Sequence, residues 1–133
     1  MTGPELAEAA RAMIGTPFRL HGRDPATGVD CVGLLAASMA RCGRTVKFPT
    51  GYRLRTRAFD GLEAVARAAG LENAEDQIVA GDVLVVQPGP LQMHLVIALT
   101  GRRCVHAHAG LRKVVAGPID ADWALLSQWR CAP

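Results

Sequence analysis

The sequence predicts a small α+β domain in which helices come first and a mainly antiparallel sheet follows. Apolar residues recur at helical spacing in the first half of the chain, and short β-rich apolar runs separated by turn residues fill the second half. Helices and strands segregated in this way are typical of α+β architecture. The chain has 133 residues, of which 50% are hydrophobic and 20% charged, so residues 1–133 are predicted to form a single domain around one core.

Three helices are predicted. The first covers residues 4–14, where Ala, Leu and Met recur at helical spacing. The second covers residues 31–41 and ends before Gly43, and the third covers residues 59–69 with Gly70 as its stop signal. All three precede the strand-rich half of the chain.

The strands are predicted from apolar runs that are bounded by turn residues. Thr100-Gly101 separates two such runs and indicates a hairpin turn. Trp129 and Arg130 suit a closing strand near the end of the chain. The other predicted strands cover residues 82–86, 94–99, 103–108 and 112–116.

Cys31 lies at the predicted junction between a turn-rich loop and the second helix. Asp30 is the natural N-cap of that helix. A helix N-terminus carries partial positive charge and free N–H groups, which lower the pKa of a thiol and can hold an oxyanion. Local sequence therefore suggests a cysteine nucleophile, with a small buried structural cysteine as the alternative.

His94 and His106 are the candidate partners of this cysteine. His94 opens one predicted strand and His106 lies on the returning strand, so the two side chains can face each other on one side of the sheet. Nucleophilic cysteine catalysis needs a base beside the thiol and a third polar group that orients the base. Cys31, His94 and His106 supply these residue types.

The chain resembles an NlpC-type cell-wall cysteine peptidase, from the compact bacterial branch of the papain-like clan. The matching blocks run in family order over about residues 5 to 110. The Asp-Cys-x-Gly-Leu block followed by a Gly-Asp-strand-His block is the specific part of the resemblance. The blocks are Gly-Thr-Pro-Phe at 15–18, Gly-Val-Asp-Cys-Val-Gly-Leu at 28–34, Gly-Asp-Val-Leu at 81–84, His-Leu-Val-Ile-Ala-Leu at 94–99 and Val-His-Ala at 105–107.

The resemblance implies a compact papain-like fold with the nucleophile at a helix N-terminus packed on the sheet. It implies Cys31 as nucleophile, His94 as general base and His106 as the orienting residue. The expected reaction is thiol acyl transfer that hydrolyses an amide bond in a peptidoglycan stem peptide, typically between D-γ-glutamyl and a diamino acid. No cofactor and no metal are expected.

The chain departs from the family pattern beside the nucleophile. Phe18 stands where the family usually has Tyr, Val32 where it often has Ser, and His21-Gly22 where a Gly-Gly pair is common. Phe18, His21, Asp30 and Val32 are the candidate substrate-binding residues. Phe18, together with Val32 in place of Ser, most resembles the short family members that phages and phage-like tail gene clusters carry. Phage or phage-like tail proteins are therefore expected partners.

Composition and patterning indicate neither a nucleic-acid partner nor insertion in a membrane. The net charge is only +3 and the arginines are scattered. The N-terminus lacks the basic and apolar regions of a secretory signal, and no run approaches the roughly 18 apolar residues of a membrane helix. The expectation is synthesis in the cytoplasm and action on the cell wall after assembly into a phage-like tail or after lysis.

Three alternatives stay open on the sequence. The first is another reaction on the same scaffold, by an amidase or an acyltransferase. The second is a catalytically inactive tail or hub component that kept the fold. The third is a zinc-binding module using Cys104, His106 and His108, which alternate along one strand, although the chain has no Cys-x-x-Cys pair and no His-x-x-x-His helix.

Overall fold

The computed structural model describes residues 1–48, 62–90 and 92–133. The predicted α+β class is confirmed, because the helices pack on a mainly antiparallel sheet. The helices are α1 (Gly3–Arg11), α2 (Cys31–Arg41) and α3 (Leu62–Ala68). The strands are β1 (Arg23–Asp24), β2 (Gly28–Val29), β3 (Leu71–Asn73), β4 (Val83–Gln87), β5 (His94–Ala98), β6 (Arg103–His108), β7 (Lys113–Pro118) and β8 (Ala124–Cys131).

All three predicted helices are present, and the first ends earlier than predicted. α2 has the predicted bounds, and α3 lies inside the predicted range, whose residues 59–61 fall outside the described part of the chain. Gly70 ends α3 with a φ of 85°, a conformation that glycine adopts without steric cost. The first helix is predicted to reach residue 14 but ends at Arg11, because the chain tightens there into turns closed by bonds such as Met13 N–H to the Ala10 carbonyl.

Six strands form one antiparallel sheet in the order β3-β8-β4-β5-β6-β7, and β1 pairs with β2 separately. The last predicted strand is present but lies inside the sheet, between β3 and β4. Its register shifts so that Val85 faces Ser127 while Val86 faces Leu125, which leaves Leu126 as an extra residue on β8. This bulge explains why the apolar pattern of β8 does not alternate regularly.

The sheet buries both of its faces. One face packs with the helices into the main core, which includes Leu6, Leu34, Leu95, Ile97 and Val105. The other face carries a smaller cluster of Leu84, Val86, Val96, Ala98 and Cys104, against which Ile78, Ile119 and Trp123 pack. No helix among the described residues combines the length and hydropathy needed to cross a bilayer.

A buried ion pair ties β4 to β8. The carboxylate of Asp82 is fully buried and accepts two hydrogen bonds of 2.9 Å from the Arg130 guanidinium, one from its Nε and one from its Nη2. Gln128 Nε2 and the Val79 N–H donate to the same carboxylate at 3.0 Å each. Asp82 precedes β4, whereas His94 pairs with Val86 towards the other end of that strand, so this pair stabilises the sheet and lies away from the histidines.

Asp82→Asn is expected to lower the free energy of unfolding by about 2 kcal/mol, because it weakens the charge-assisted hydrogen bonds of a fully buried carboxylate while Arg130 keeps its bridge to the exposed Asp76. The matched control is Glu63→Gln, which breaks the exposed Arg67–Glu63 bridge and is expected to cost less than about 1 kcal/mol. Chemical denaturation of the two variants measures the difference. Equal losses would mean that the buried pair contributes no more than a surface bridge.

Candidate active site

Asp30 sets the start of α2 and therefore the position of Cys31. Its Oδ1 accepts a hydrogen bond of 2.8 Å from the Gly33 N–H, as an N-cap should. Its Oδ2 accepts one of 2.8 Å from the N–H of His21. The side chain is fully buried, so one carboxylate joins the first turn of α2 to the loop that contains His21.

Gly33 allows this loop to approach the helix. A Cβ added at Gly33 would lie 1.9 Å from the carbonyl oxygen of Gly22, closer than atoms can pack. The Gly in the Cys-x-Gly motif is therefore required by contact with the loop backbone, and the helix N-terminus is held rigidly as a result.

The ladder between β5 and β6 stops short, and Cys31 lies where it ends. Within these two described strands, pairing covers Ile97↔Val105 and Ala98↔Cys104. N–H groups alternate along a strand, and Ala98 donates to Asp82 on the β4 side, so the Leu95 N–H points to the β6 side. There it lies near the Cys31 thiol, whose pKa it lowers. This end of the ladder, at Leu95, is called the ladder opening below.

His94 and His106 are hydrogen-bonded to each other, as their predicted positions on facing strands require. The Nε2 of His94 lies 3.1 Å from the Nδ1 of His106, and the rings meet nearly at right angles with centroids 5.3 Å apart. His94 directly precedes Leu95, whose N–H lowers the pKa of the Cys31 thiol. The structure thus joins two of the predicted catalytic residues, His94 and His106, through a hydrogen bond, and it places Cys31 near the backbone at the start of β5.

Burial sets the protonation of these groups. It raises the pKa of the Cys31 thiol to about 12, with the Asp30 charge adding to the rise, while the N–H groups of Leu95, Val32 and Cys31 oppose it. Burial, aided by His106 and His108, lowers the pKa of His94 to about 3. Burial and then His108 lower that of His106 to about 4. The predicted lowering of the thiol pKa is wrong here, because Cys31 is only 2% exposed and desolvation exceeds the effect of the helix N-terminus.

The four predicted substrate-binding residues differ in what they present to solvent. Asp30 and Val32 are buried, the first as the helix cap and the second in the main core. Phe18 is half-buried against that core. His21 is exposed and has a φ of 61°, a left-handed conformation that is rare outside glycine. His21 is therefore the one of the four that offers a substrate most of its side chain.

Trp123 and the Leu95 backbone belong to the site and were not predicted. Trp123 lies with its ring centroid 6.3 Å from that of His94 and 5.5 Å from that of His106. No motif or spacing in the sequence links this tryptophan to the histidines. Every residue except proline has a backbone N–H, so the sequence cannot mark the Leu95 N–H as part of the site. Only the strand pairing shows it.

The zinc alternative gains no geometric support. Cys104, His106 and His108 do share one face of β6, but Cys104 is fully buried in the smaller cluster. Within the described ranges, no group of three or more His, Cys, Asp or Glu side chains could hold a metal ion.

Comparison with known proteins identifies the family. The sequence pattern of the NlpC/P60 family matches residues 15–124, which is most of the chain. This chain belongs to the NlpC/P60 family. The matched range contains the Asp-Cys-x-Gly-Leu block and both histidines of this NlpC/P60 domain.

Solved structures agree with this assignment. The NlpC/P60 domain of the peptidoglycan hydrolase SagA superposes with a TM-score of 0.65 at 25% identity, over 96% of this chain and 97% of that one. NlpC1 from Trichomonas vaginalis gives 0.70 at 18% identity over 96% of this chain, and the match covers 44% of NlpC1. The peptidoglycan hydrolase RipB from Mycobacterium tuberculosis gives 0.56 at 20% identity, over 96% of this chain and 63% of RipB. A comparison with curated protein sequences found no match.

The stability of this NlpC/P60 domain is expected to fall as the pH drops below about 6.5. His94 and His106 are neutral in the folded protein down to about pH 3 and 4, whereas their unfolded pKa values lie near 6.5. Below about pH 6.5 the unfolded chain binds more protons, so stability is lost as pH falls, at about 1 kcal/mol per pH unit for each histidine. Denaturation curves from pH 8 to 5 measure this slope, and His106→Gln should reduce it. An unchanged slope in that variant would contradict the assignment.

Proposed function

We propose that this domain is a peptidoglycan hydrolase, a cysteine endopeptidase that cleaves an amide bond in stem peptides. The expected bond joins D-γ-glutamyl to a diamino acid. The observation that carries the proposal is the His94–His106 hydrogen bond in an NlpC/P60 domain whose Cys31 begins a helix. Family membership supports the cell wall as the substrate, as do SagA and RipB, both described as peptidoglycan hydrolases.

The hydrogen bond between the histidines can form with either ring as donor, and the reaction needs His94 to be the donor. If His94 carries its proton on Nε2 and donates it to His106 Nδ1, the Nδ1 of His94 is left as a lone-pair acceptor. His106 then holds its own proton on Nε2. In this arrangement His106 orients the base and His94 accepts the thiol proton.

Because thiol and imidazole are both neutral at rest, the charges form only when substrate is bound. The proton passes from Cys31 Sγ to His94 Nδ1 as the sulfur attacks the carbonyl carbon. The N–H groups of Leu95, Val32 and Cys31 lower the pKa of this thiol, so they favour the negative charge on the sulfur. The negative charge then moves to the carbonyl oxygen, where a first-turn N–H of α2 such as that of Cys31 is available as a donor.

The second half of the reaction returns the site to its neutral form. The proton on His94 passes to the leaving nitrogen, the C–N bond breaks, and a thioester to Cys31 remains. Water, deprotonated by His94, attacks the thioester carbonyl carbon. The C–S bond breaks, the acid product leaves, and the proton returns to the sulfur.

Cys31→Ala is expected to abolish release of peptides from purified peptidoglycan, because the proposed thioester forms on the Cys31 sulfur. Its melting temperature should stay close to that of the wild type, since the change removes one buried sulfur. Cys42→Ala, which removes the partly exposed thiol at the other end of α2, is the matched control and should keep activity. Mass spectrometry of the products measures turnover and identifies the bond cleaved.

The same products separate the alternatives. Cleavage at the glycan–peptide junction would identify an amidase, and transfer to an added amine would identify an acyltransferase. Full turnover by Cys31→Ala would rule out the thiol mechanism. A wild-type protein that is inert towards peptidoglycans of several types would favour the structural tail or hub component.

His94→Ala and His106→Ala should differ in their effects on rate. Loss of the base is expected to cost roughly 100-fold to 10,000-fold in kcat. Loss of the orienting residue should cost less and leave KM unchanged, because His94 remains and only its ring position is released. His106→Asn, which can still accept a hydrogen bond from His94, should restore part of the rate. Steady-state kinetics measure both; equal losses in the two alanine variants would make His106 as essential as the base.

Association with phage or phage-like tail proteins stays a prediction from Phe18 and Val32. The expectation of action on the wall after tail assembly or lysis also stays a prediction. Co-purification of the chain with assembled particles from the producing cell is the measurement for both.

A further inference from the structure

Trp123 contacts both histidines, and the mechanism above gives it no role. Its ring meets that of His94 at 79° and that of His106 also at 79°, so the indole packs in a T-shaped arrangement on each imidazole. Trp123 is half-buried and precedes β8, and it packs against the smaller cluster of the sheet. A single side chain from another part of the chain thus covers the whole histidine pair.

We propose that Trp123 is a positioning residue that holds the His94–His106 pair in hydrogen-bonding geometry and shields that hydrogen bond from water. The proposal deepens the proposed function, and it rests on that function for the roles of base and orienting residue.

The ladder opening explains why the pair needs such support. β5 and β6 pair at Ile97↔Val105 and Ala98↔Cys104 but do not continue the ladder to His94 and His106. The backbone ladder therefore does not hold these two side chains together across the strands. Their mutual hydrogen bond contributes little net stability, because water at the opening can compete for it. An apolar ring packed on both imidazoles limits their rotation and excludes that water.

The same contact affects where the histidines titrate. Among the described residues, the titratable group that lies against the pair is His108 on β6, and it supplies no negative charge that would favour an imidazolium. Burial is the main reason that both histidines have lowered pKa values. Removing the indole admits water to the pair, so their pKa values should rise towards 6.5.

The first experiment needs no substrate. Trp123→Ala, Trp123→Phe and Trp129→Phe are compared by NMR titration of the histidine ring protons between pH 5 and 8. Trp129 lies opposite Val83, away from His94, and packs in the main core, so it is a matched tryptophan outside the site. The wild type and Trp129→Phe should show the His94 and His106 signals flat over this range. Trp123→Ala should show them titrating with midpoints inside it, and Trp123→Phe should restore the flat behaviour.

The second experiment uses peptidoglycan turnover by the same variants. Trp123→Ala should lower kcat by about 10-fold to 100-fold with KM unchanged, because a misplaced base slows the chemical step and not binding. The acidic limb of its kcat/KM profile should also move to higher pH. Trp123→Phe should recover most of the rate.

Histidine signals that stay flat in a folded Trp123→Ala protein would overturn the proposal. If that variant does not fold, Trp123→Leu keeps apolar volume but leaves the space beside the rings partly open, and the same titration decides. Because the titration does not depend on activity, a wild type that fails to cleave peptidoglycan overturns the proposed function and leaves the role of Trp123 measurable.

Discussion

The site depends on the early end of the β5–β6 ladder. If pairing continued, the Leu95 N–H would bond to Ala107 on β6. Instead it lies near the Cys31 thiol, whose pKa it lowers, and α2 packs against β5. The helix can do so because the Asp30 carboxylate and the close approach of Gly33 to Gly22 hold that turn against the loop before it. Because the ladder ends early, the Leu95 N–H has no partner among the described residues of β6, and the Cys31 thiol occupies the space beside it.

Burial keeps both the Cys31 thiol and the His94 imidazole neutral in the free protein. A thiol whose pKa is about 12 and an imidazole whose pKa is about 3 are both neutral over the whole physiological range. The helix N-terminus and three nearby N–H groups favour a thiolate, yet desolvation exceeds them in the free protein. When substrate binds, its carbonyl oxygen can take up the negative charge that the sulfur gains on losing its proton. The proton transfer and the attack on the carbonyl are then coupled, since neither charged form is stable alone.

Much of the fold could be predicted because its signals are local. α2 has the predicted bounds because Asp30 caps it and Gly43 follows it, and the β5–β6 hairpin forms around the predicted turn. The features that the sequence leaves open depend on long-range contacts. β8 lies between β3 and β4 through its two ladders, and Arg130 on β8 reaches the buried Asp82, which is 48 positions away in the chain. The β1–β2 pair, read as a loop in the sequence, has strands of only two residues, too short for any alternation to appear.

The residue types of the site and their order can be read from the sequence alone. A capped helix start and two histidines on neighbouring strands both produce short-range sequence patterns. The family also follows from the sequence, because the NlpC/P60 pattern matches residues 15–124. The tertiary structure decided the protonation states, because desolvation of Cys31 and His94 comes from atoms throughout the fold. It decided too that Trp123 and the Leu95 N–H join the site, since a backbone donor and a distant aromatic ring acquire their roles only when the sheet brings them together.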